Sequence, residues 1–244
     1  MIALIKYHIR SFLKSNKYIM PLLAYIIVLA MLCSSPLKSV KVVYIISMVV
    51  VYLMTTWTGF IYAECEDQIT EQIALLKAKT SKQYYISKIL FICIWGMSFV
   101  VIGLVIPLLW KVFCLITHGN SFKDMTATNV LASLFMNICV AILGGILGYL
   151  LHPRVFNNRK IGAIATFSLA VIGIIKGPLL AEFNIPLFKV ITWLFPPIYE
   201  IIIGCDITTK LINIGDILFP CVYAVIYGIV LAVINVYVID KKGF

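Results

Sequence analysis

Long apolar runs separated by short polar intervals dominate the chain. Runs at 18–33, 42–63, 89–112, 129–151, 161–180 and 217–239 are continuous instead of alternating. About 20 apolar residues carry a helix across the hydrocarbon layer, whereas a membrane barrel needs short alternating strands. The pattern therefore predicts six transmembrane helices in a single all-α polytopic domain spanning 1–244. Two further segments carry different patterns. In 1–17, Ile2, Ile5, Ile9, Phe12 and Leu13 recur at helical spacing, with Lys6, Arg10, Lys14 and Lys17 on another side. This predicts a basic amphipathic helix lying on the membrane surface, with His8 counted on its polar side. The stretch 182–203 is apolar but broken by Lys189, Pro196, Pro197 and Glu200. It predicts one or two short helices dipping into the outer leaflet, hinged at the proline pair and covered by protein.

The interval 64–88 is the longest strongly charged stretch. Its acids come first (Glu64, Glu66, Asp67, Glu71) and its bases follow (Lys77, Lys79, Lys82, Lys88). Ionised side chains are expensive in hydrocarbon, so this loop lies outside the lipid. Within it Ile69, Ile73 and Leu76 fall at i, i+4, i+7, while Asp67, Gln68, Glu71 and Gln72 fill much of the remainder. The spacing predicts a short helix along the inner membrane surface or docked in a groove of a soluble partner. Acids at its start and bases after its end suit the helix dipole.

Composition agrees with a membrane class. Of 244 residues 62% are hydrophobic and 12% charged, with a mean hydropathy of +1.05. A soluble domain carries about 25% charged residues. The net charge of +10 fits cytoplasmic loops beside anionic lipid better than nucleic acid, since no basic cluster sits among stacking aromatics. With both termini and 64–88 inside the cell membrane, 13 of the 20 Lys and Arg lie on the cytoplasmic side, as the positive-inside rule asks. The intervals 114–128 and 182–216 then face outward. A basic front before 18–33 resembles a signal peptide, but no small-x-small cleavage site follows. The seven cysteines are scattered and form no C-x-x-C pair, so they read as small packing residues.

Catalytic signatures are absent. The chain has no G-x-x-x-x-G-K-[ST] loop, no H-E-x-x-H and no G-x-S-x-G, and its three histidines are far apart. The expectation is a transport protein with no catalytic, cofactor or metal residues of its own. No acid falls at mid-depth in a span, where ion-driven transporters usually place one. Lys176, the deepest base, is expected to snorkel to the interface, with a substrate contact as the alternative. Gly144-x-x-x-Gly148, Gly173-x-x-x-Gly177 and Ala224-x-x-x-Gly228-x-x-x-Ala232 permit close helix approach. The second span carries adaptable apolar surface, and Met48, Tyr52, Trp57 and Phe60, with Lys176 and Trp193, are the expected substrate-path residues.

The loop 64–90 resembles that of type-2 ABC transporter permeases, the exporter-type transmembrane subunits typical of bacterial peptide and antibiotic exporters. Their pattern is a Glu leaving the second span, a short acidic helix, a Leu pair, a small or basic polar turn, an aromatic residue, and a Lys opening the third span. Here these positions fall on Glu64 or Glu66, on Glu71, on Leu75 and Leu76, on Thr80 to Lys82, on Tyr84 or Tyr85, and on Lys88. The chain departs from the commoner pattern at Gln68, where a small residue is frequent. The layout of the whole chain is similar as well. The resemblance implies a second permease chain, identical or related, and two copies of a cytoplasmic ABC ATPase that holds the ATP and Mg. It implies that Glu64, Glu66, Asp67, Ile69, Glu71, Ile73, Leu75, Leu76 and Lys88 couple the spans to that ATPase. With outer loops short, apolar and aromatic, the expected activity is export of an amphipathic or apolar compound, most plausibly a membrane-active peptide. The competing classes are an ion-coupled secondary transporter and a membrane immunity or scaffold protein.

Overall fold

The computed structural model describes residues 1–34, 40–65, 68–78, 80–117, 127–150, 158–182, 192–204 and 214–241. These form nine helices and, among the described residues, no strand. They are α1 (Ile2–Ser15), α2 (Ile19–Ser34), α3 (Val40–Ala63), α4 (Gln68–Lys77), α5 (Ser81–Thr117), α6 (Ala127–Leu150), α7 (Arg159–Glu182), α8 (Ile198–Gly204) and α9 (Ile214–Lys241).

Five of them, α3, α5, α6, α7 and α9, contain stretches long and apolar enough to cross a bilayer, which suggests a membrane protein. The 16 residues of α2 reach only ~24 Å at 1.5 Å per residue, short of a hydrocarbon layer of ~30 Å. This helix qualifies only together with α1, from which it turns by 78°. Asn16 makes that turn. It adopts the left-handed conformation (φ 53°) and its N–H reaches the Leu13 carbonyl at 3.4 Å, a conformation asparagine tolerates better than most residues. The amphipathic first helix thus lies across the direction of the second. Pro21 falls in the first turn of α2, where a missing N–H costs little.

Helix α6 is the centre of the bundle. It is buried on most of its circumference from Asn129 to Tyr149 and packs against α3, α5 and α9. Among the described residues its contact with α3 is the most extensive between two helices, and glycines remove the side chains between the two backbones. A Cβ on Gly148 would overlap the Thr56 carbonyl, one on Gly59 the Gly145 carbonyl, and one on Gly144 the Thr55 hydroxyl. Three threonine hydroxyls of α3 are satisfied within their own helix. Thr55, Thr56 and Thr58 donate to the carbonyls of Val51, Tyr52 and Met54 at 2.8, 2.8 and 2.7 Å, so they add no unpaired donor to the interior. The Gly173–Gly177 spacing on α7 serves a different neighbour. Pro196 and Tyr199, from the turn and helix at 192–204, fill the space beside those glycines.

Two boundaries differ from the sequence expectation. The helix containing the expected span 89–112 runs from Ser81 to Thr117, 37 residues with Pro107 inside it. At ~55 Å it exceeds the hydrocarbon layer by several turns. Its first turns, expected to be loop, continue the helical pattern because Tyr84, Tyr85 and Ser87 have buried neighbours to pack against. The expected outer loop 114–128 is correspondingly shorter: Cys114 is helical and buried, and α6 already begins at Ala127. Of the stretch 182–203, residues 183–191 lie outside the described residues. The proline pair directly precedes α8, a helix of seven residues that packs on α7 and α9.

The polar segments gather at one end. The Lys17 ammonium donates to the Glu64 carbonyl at 3.1 Å, Glu64 pairs with Arg159 at 2.7 Å, and His8 meets Ser87 at 2.9 Å. The last turns of α9 face the first turns of α5. The amphipathic helix, the charged loop, the start of α7 and the end of α9 therefore share a side, as the charge count expects. Because the α3–α6 contact has no room for a side chain, Gly148→Val is expected to destabilise the protein by about 1–3 kcal/mol or more through overpacking. At Gly228 the nearest atom to an added Cβ is 3.9 Å away, so Gly228→Ala should leave the thermal midpoint in detergent unchanged. Equal midpoints for the two variants would show that the glycine contact is not limiting.

Candidate functional site

The charged loop folds into α4, with Glu71 in its first turn and Lys77 in its last. Its two faces reverse the usual arrangement. Ile69, Ile73 and Leu76 are 72%, 50% and 87% exposed, whereas Glu71 is fully buried. Ala74, Leu75 and Ala78 pack on the core on the same side as Glu71. The stripe read from the sequence exists, and it points away from the rest of the chain.

Glu71 turns inward because it has a partner there. Its Oε1 accepts from the Lys88 ammonium at 2.9 Å, with both side chains almost completely buried. The same ammonium lies 4.6 Å over the Tyr84 ring, a cation–π contact that strengthens as water is excluded. Two of the expected coupling residues thus meet each other and fasten α4 to the first turns of α5. Breaking such a pair is more costly than never having it, because a lone charge remains buried.

Helix α1 joins the same assembly. His8, expected on the polar side, is buried instead, with its Nε2 2.9 Å from the Ser87 Oγ and its ring 5.4 Å from that of Tyr84. The physical reason is periodicity: His8 lies four residues before Phe12 and so shares its face. Phe12 packs edge-on against Tyr62, Phe91 and Trp95, with centroids 5.0–5.6 Å apart. Aromatic pairs in this range contribute beyond their buried area. Helices α1, α4 and the start of α5 are held as one body. Glu64 sits at its edge, tied to Arg159. Glu66 and Asp67 lie outside the described residues.

Of the expected substrate-path residues, Met48 and Tyr52 share the main core cluster. Phe60 is also buried, and Trp57 is half-buried on α3. A cavity of about 10 Å³ near them, lined by Thr55, Tyr62, Phe91 and Trp95, has room for about one water. Lys176 does not snorkel: it is 2% exposed, and its ammonium reaches the Glu200 Oε1 at 2.7 Å. Glu200 reaches it from α8, just after the Pro196–Pro197 turn, while Tyr199 fills the space beside Gly177. Trp193 is 75% exposed, with its ring 6.0 Å from Tyr223, and the Tyr227 hydroxyl donates to the Leu194 carbonyl at 2.6 Å. His8, Ser87, Arg159 and Glu200 were not singled out as functional from sequence. Only His8 carried a usable signal, its register with Phe12.

Among the described residues no three His, Cys, Asp or Glu side chains gather as a metal site would require. Among known protein families, curated sequences and solved structures, none matches this chain.

The buried pair makes a prediction about non-additivity. Glu71→Met and Lys88→Met should each lower stability by about 3–5 kcal/mol, and the double variant should recover most of that loss. Thermal unfolding of the four proteins in detergent reads the cycle. Losses that simply add would mean that the two side chains do not depend on each other.

Proposed function

We propose that this chain is the transmembrane subunit of an ATP-driven exporter, powered by a separate cytoplasmic ABC ATPase. One observation carries the reading: a short helix whose apolar stripe Ile69, Ile73, Leu76 faces outward while its other side is fixed to a 37-residue helix through Glu71 and Lys88. An exposed stripe at i, i+4, i+7 suits a hydrophobic groove on a partner. A helix tied by a buried ion pair passes on displacement instead of absorbing it. In this reading the ATPase engages α4 as it closes and opens, α5 carries the movement into the bundle, and two permease chains alternate between inward and outward states. The chain then crosses the cell membrane six times, counting α1 and α2 as one bent element, with the shared polar end in the cytoplasm. The cargo is an amphipathic or apolar compound, most plausibly a membrane-active peptide.

A second reading rests on its own observation. Lys176, buried on an apolar helix, pairs with the partly exposed Glu200, and ionisable groups on membrane-spanning helices often serve ion-coupled transport. Export that survives ATP depletion but stops when the ion gradient collapses would favour it over the ATPase reading.

Ile73→Lys and Leu76→Asp alter only the exposed face, so both variants should insert and unfold like the parent protein. They should, however, lose co-purification of an ATPase subunit from native membranes and lose transport-linked ATP hydrolysis in proteoliposomes, by about tenfold or more. Retention of both by the double variant would remove the coupling assignment. For the orientation, a cysteine at Lys242 in a background without native cysteines should resist a membrane-impermeant maleimide in intact cells and react after permeabilisation. Ready labelling from outside would invert the proposed topology.

A further inference from the structure

A groove of about 510 Å³ opens between the first turns of α5 and the last turns of α9. Its volume falls within the range of small-molecule sites, ~300–1,000 Å³. The two helices run in opposite directions, and the lining residues pair accordingly. Lys82, Ile86 and Leu90 descend on α5, and Tyr237, Val233 and Ile229 descend on α9. Each series spans eight residue steps, or ~12 Å of helix axis. The polar residues fall at one end of both series, Lys82 opposite Tyr237, and the remainder is aliphatic.

We propose that this groove binds a phospholipid with an anionic headgroup, taken from the bilayer leaflet at the α1 end of the molecule. The headgroup phosphate would rest on the Lys82 ammonium and the Tyr237 hydroxyl, and one acyl chain would fill the groove down to Leu90 and Ile229. Three features select this occupant. The groove lies on helices that carry the apolar stretches able to cross a membrane, and Ile86, Leu90, Ile229 and Val233 are exposed along it, so lipid has direct access. Among the described residues its only charged lining residue is a base, and Lys82 has no acid of that set within ion-pair distance. A lysine and a tyrosine at the same depth form the usual interfacial anchor, the ammonium for an anion and the phenol for a phosphate or ester oxygen. Basic sites between spanning helices select anionic lipid in this way. The neighbouring anchor Glu71–Lys88 lies six residues further along the same helix, so a lipid here would touch the body that holds α4. The site stands whether or not the chain works with an ATPase.

The experiment uses the full chain in phosphatidylcholine vesicles and compares spin-labelled phosphatidylglycerol with spin-labelled phosphatidylcholine of the same acyl chains. The motionally restricted fraction should favour phosphatidylglycerol about five-fold, the ratio expected of one basic side chain at an anionic surface. Lys82→Gln should abolish that preference while leaving the thermal midpoint unchanged. Val233→Trp, which fills the groove, should lower retention of both lipids. Equal association of the two lipids with the parent protein, or a preference that survives Lys82→Gln, would overturn the proposal. So would displacement of the labelled lipid by glycerol phosphate, which would make the site one for the headgroup alone. Efficient disulfide cross-linking of two chains through Val233→Cys would give the groove to a second copy instead, and would equally overturn it.

Discussion

The close approach of α3 and α6 is the constraint on which the rest of the molecule depends. Lipid tails are as apolar as leucine, so spanning helices gain little from hydrophobic burial against one another and rely on packing. Gly59, Gly144 and Gly148 let two backbones meet where a single Cβ would not fit. With α6 so held, α5 and α9 find their places against its remaining faces. Tyr25 then docks α2 by its 3.1 Å hydrogen bond to Ser47 and its edge-on contact with Phe99. The threonines of α3 allow this core to contain hydroxyls, because each returns its proton to its own helix.

At the polar end the binding forces change in kind. There the contacts are an ion pair, a histidine–serine hydrogen bond and a cluster of aromatic edges, all buried and all specific in direction. Such contacts leave few alternative arrangements, and an orphaned partner is expensive. Glu64–Arg159 differs, since Arg159 is largely exposed and a pair of that type contributes little. Helix α4 is carried by the first class of contact and not by the second.

Much of this architecture was legible in the chain. Continuous apolar runs announced α3, α5, α6, α7 and α9, and the amphipathic pattern announced α1 and α4. The start of α5 was not legible, because Lys88 looks like a loop residue until Glu71 and Tyr84 are known to lie beside it. The orientation of α4 was hidden for a related reason. Its two faces carry similar apolar content, Ile69, Ile73 and Leu76 against Ala74, Leu75 and Ala78. Which one turns inward is decided by Lys88, seventeen residues from Glu71. Lys176 was misread because snorkelling assumes no acid within reach, and the proline pair brings Glu200 to it.

The length of α5 joins these parts. A helix of 37 residues is longer than the layer it enters, so its excess must project. Its first turns carry Lys88 on one face and the α5–α9 groove on another. Pro107 lies near the far end, where a missing hydrogen bond permits bending. Between Ser81 and Ile106 no proline interrupts the hydrogen-bond ladder. A push on the outward stripe of α4 would therefore meet a stiff segment anchored by a buried charge pair. It would be relieved first near Pro107 or along the sparsely filled α5–α9 face, and last at the glycine-backed contact of α3 with α6. The same chain thus combines one contact with no room for a side chain and one interface left open by a groove.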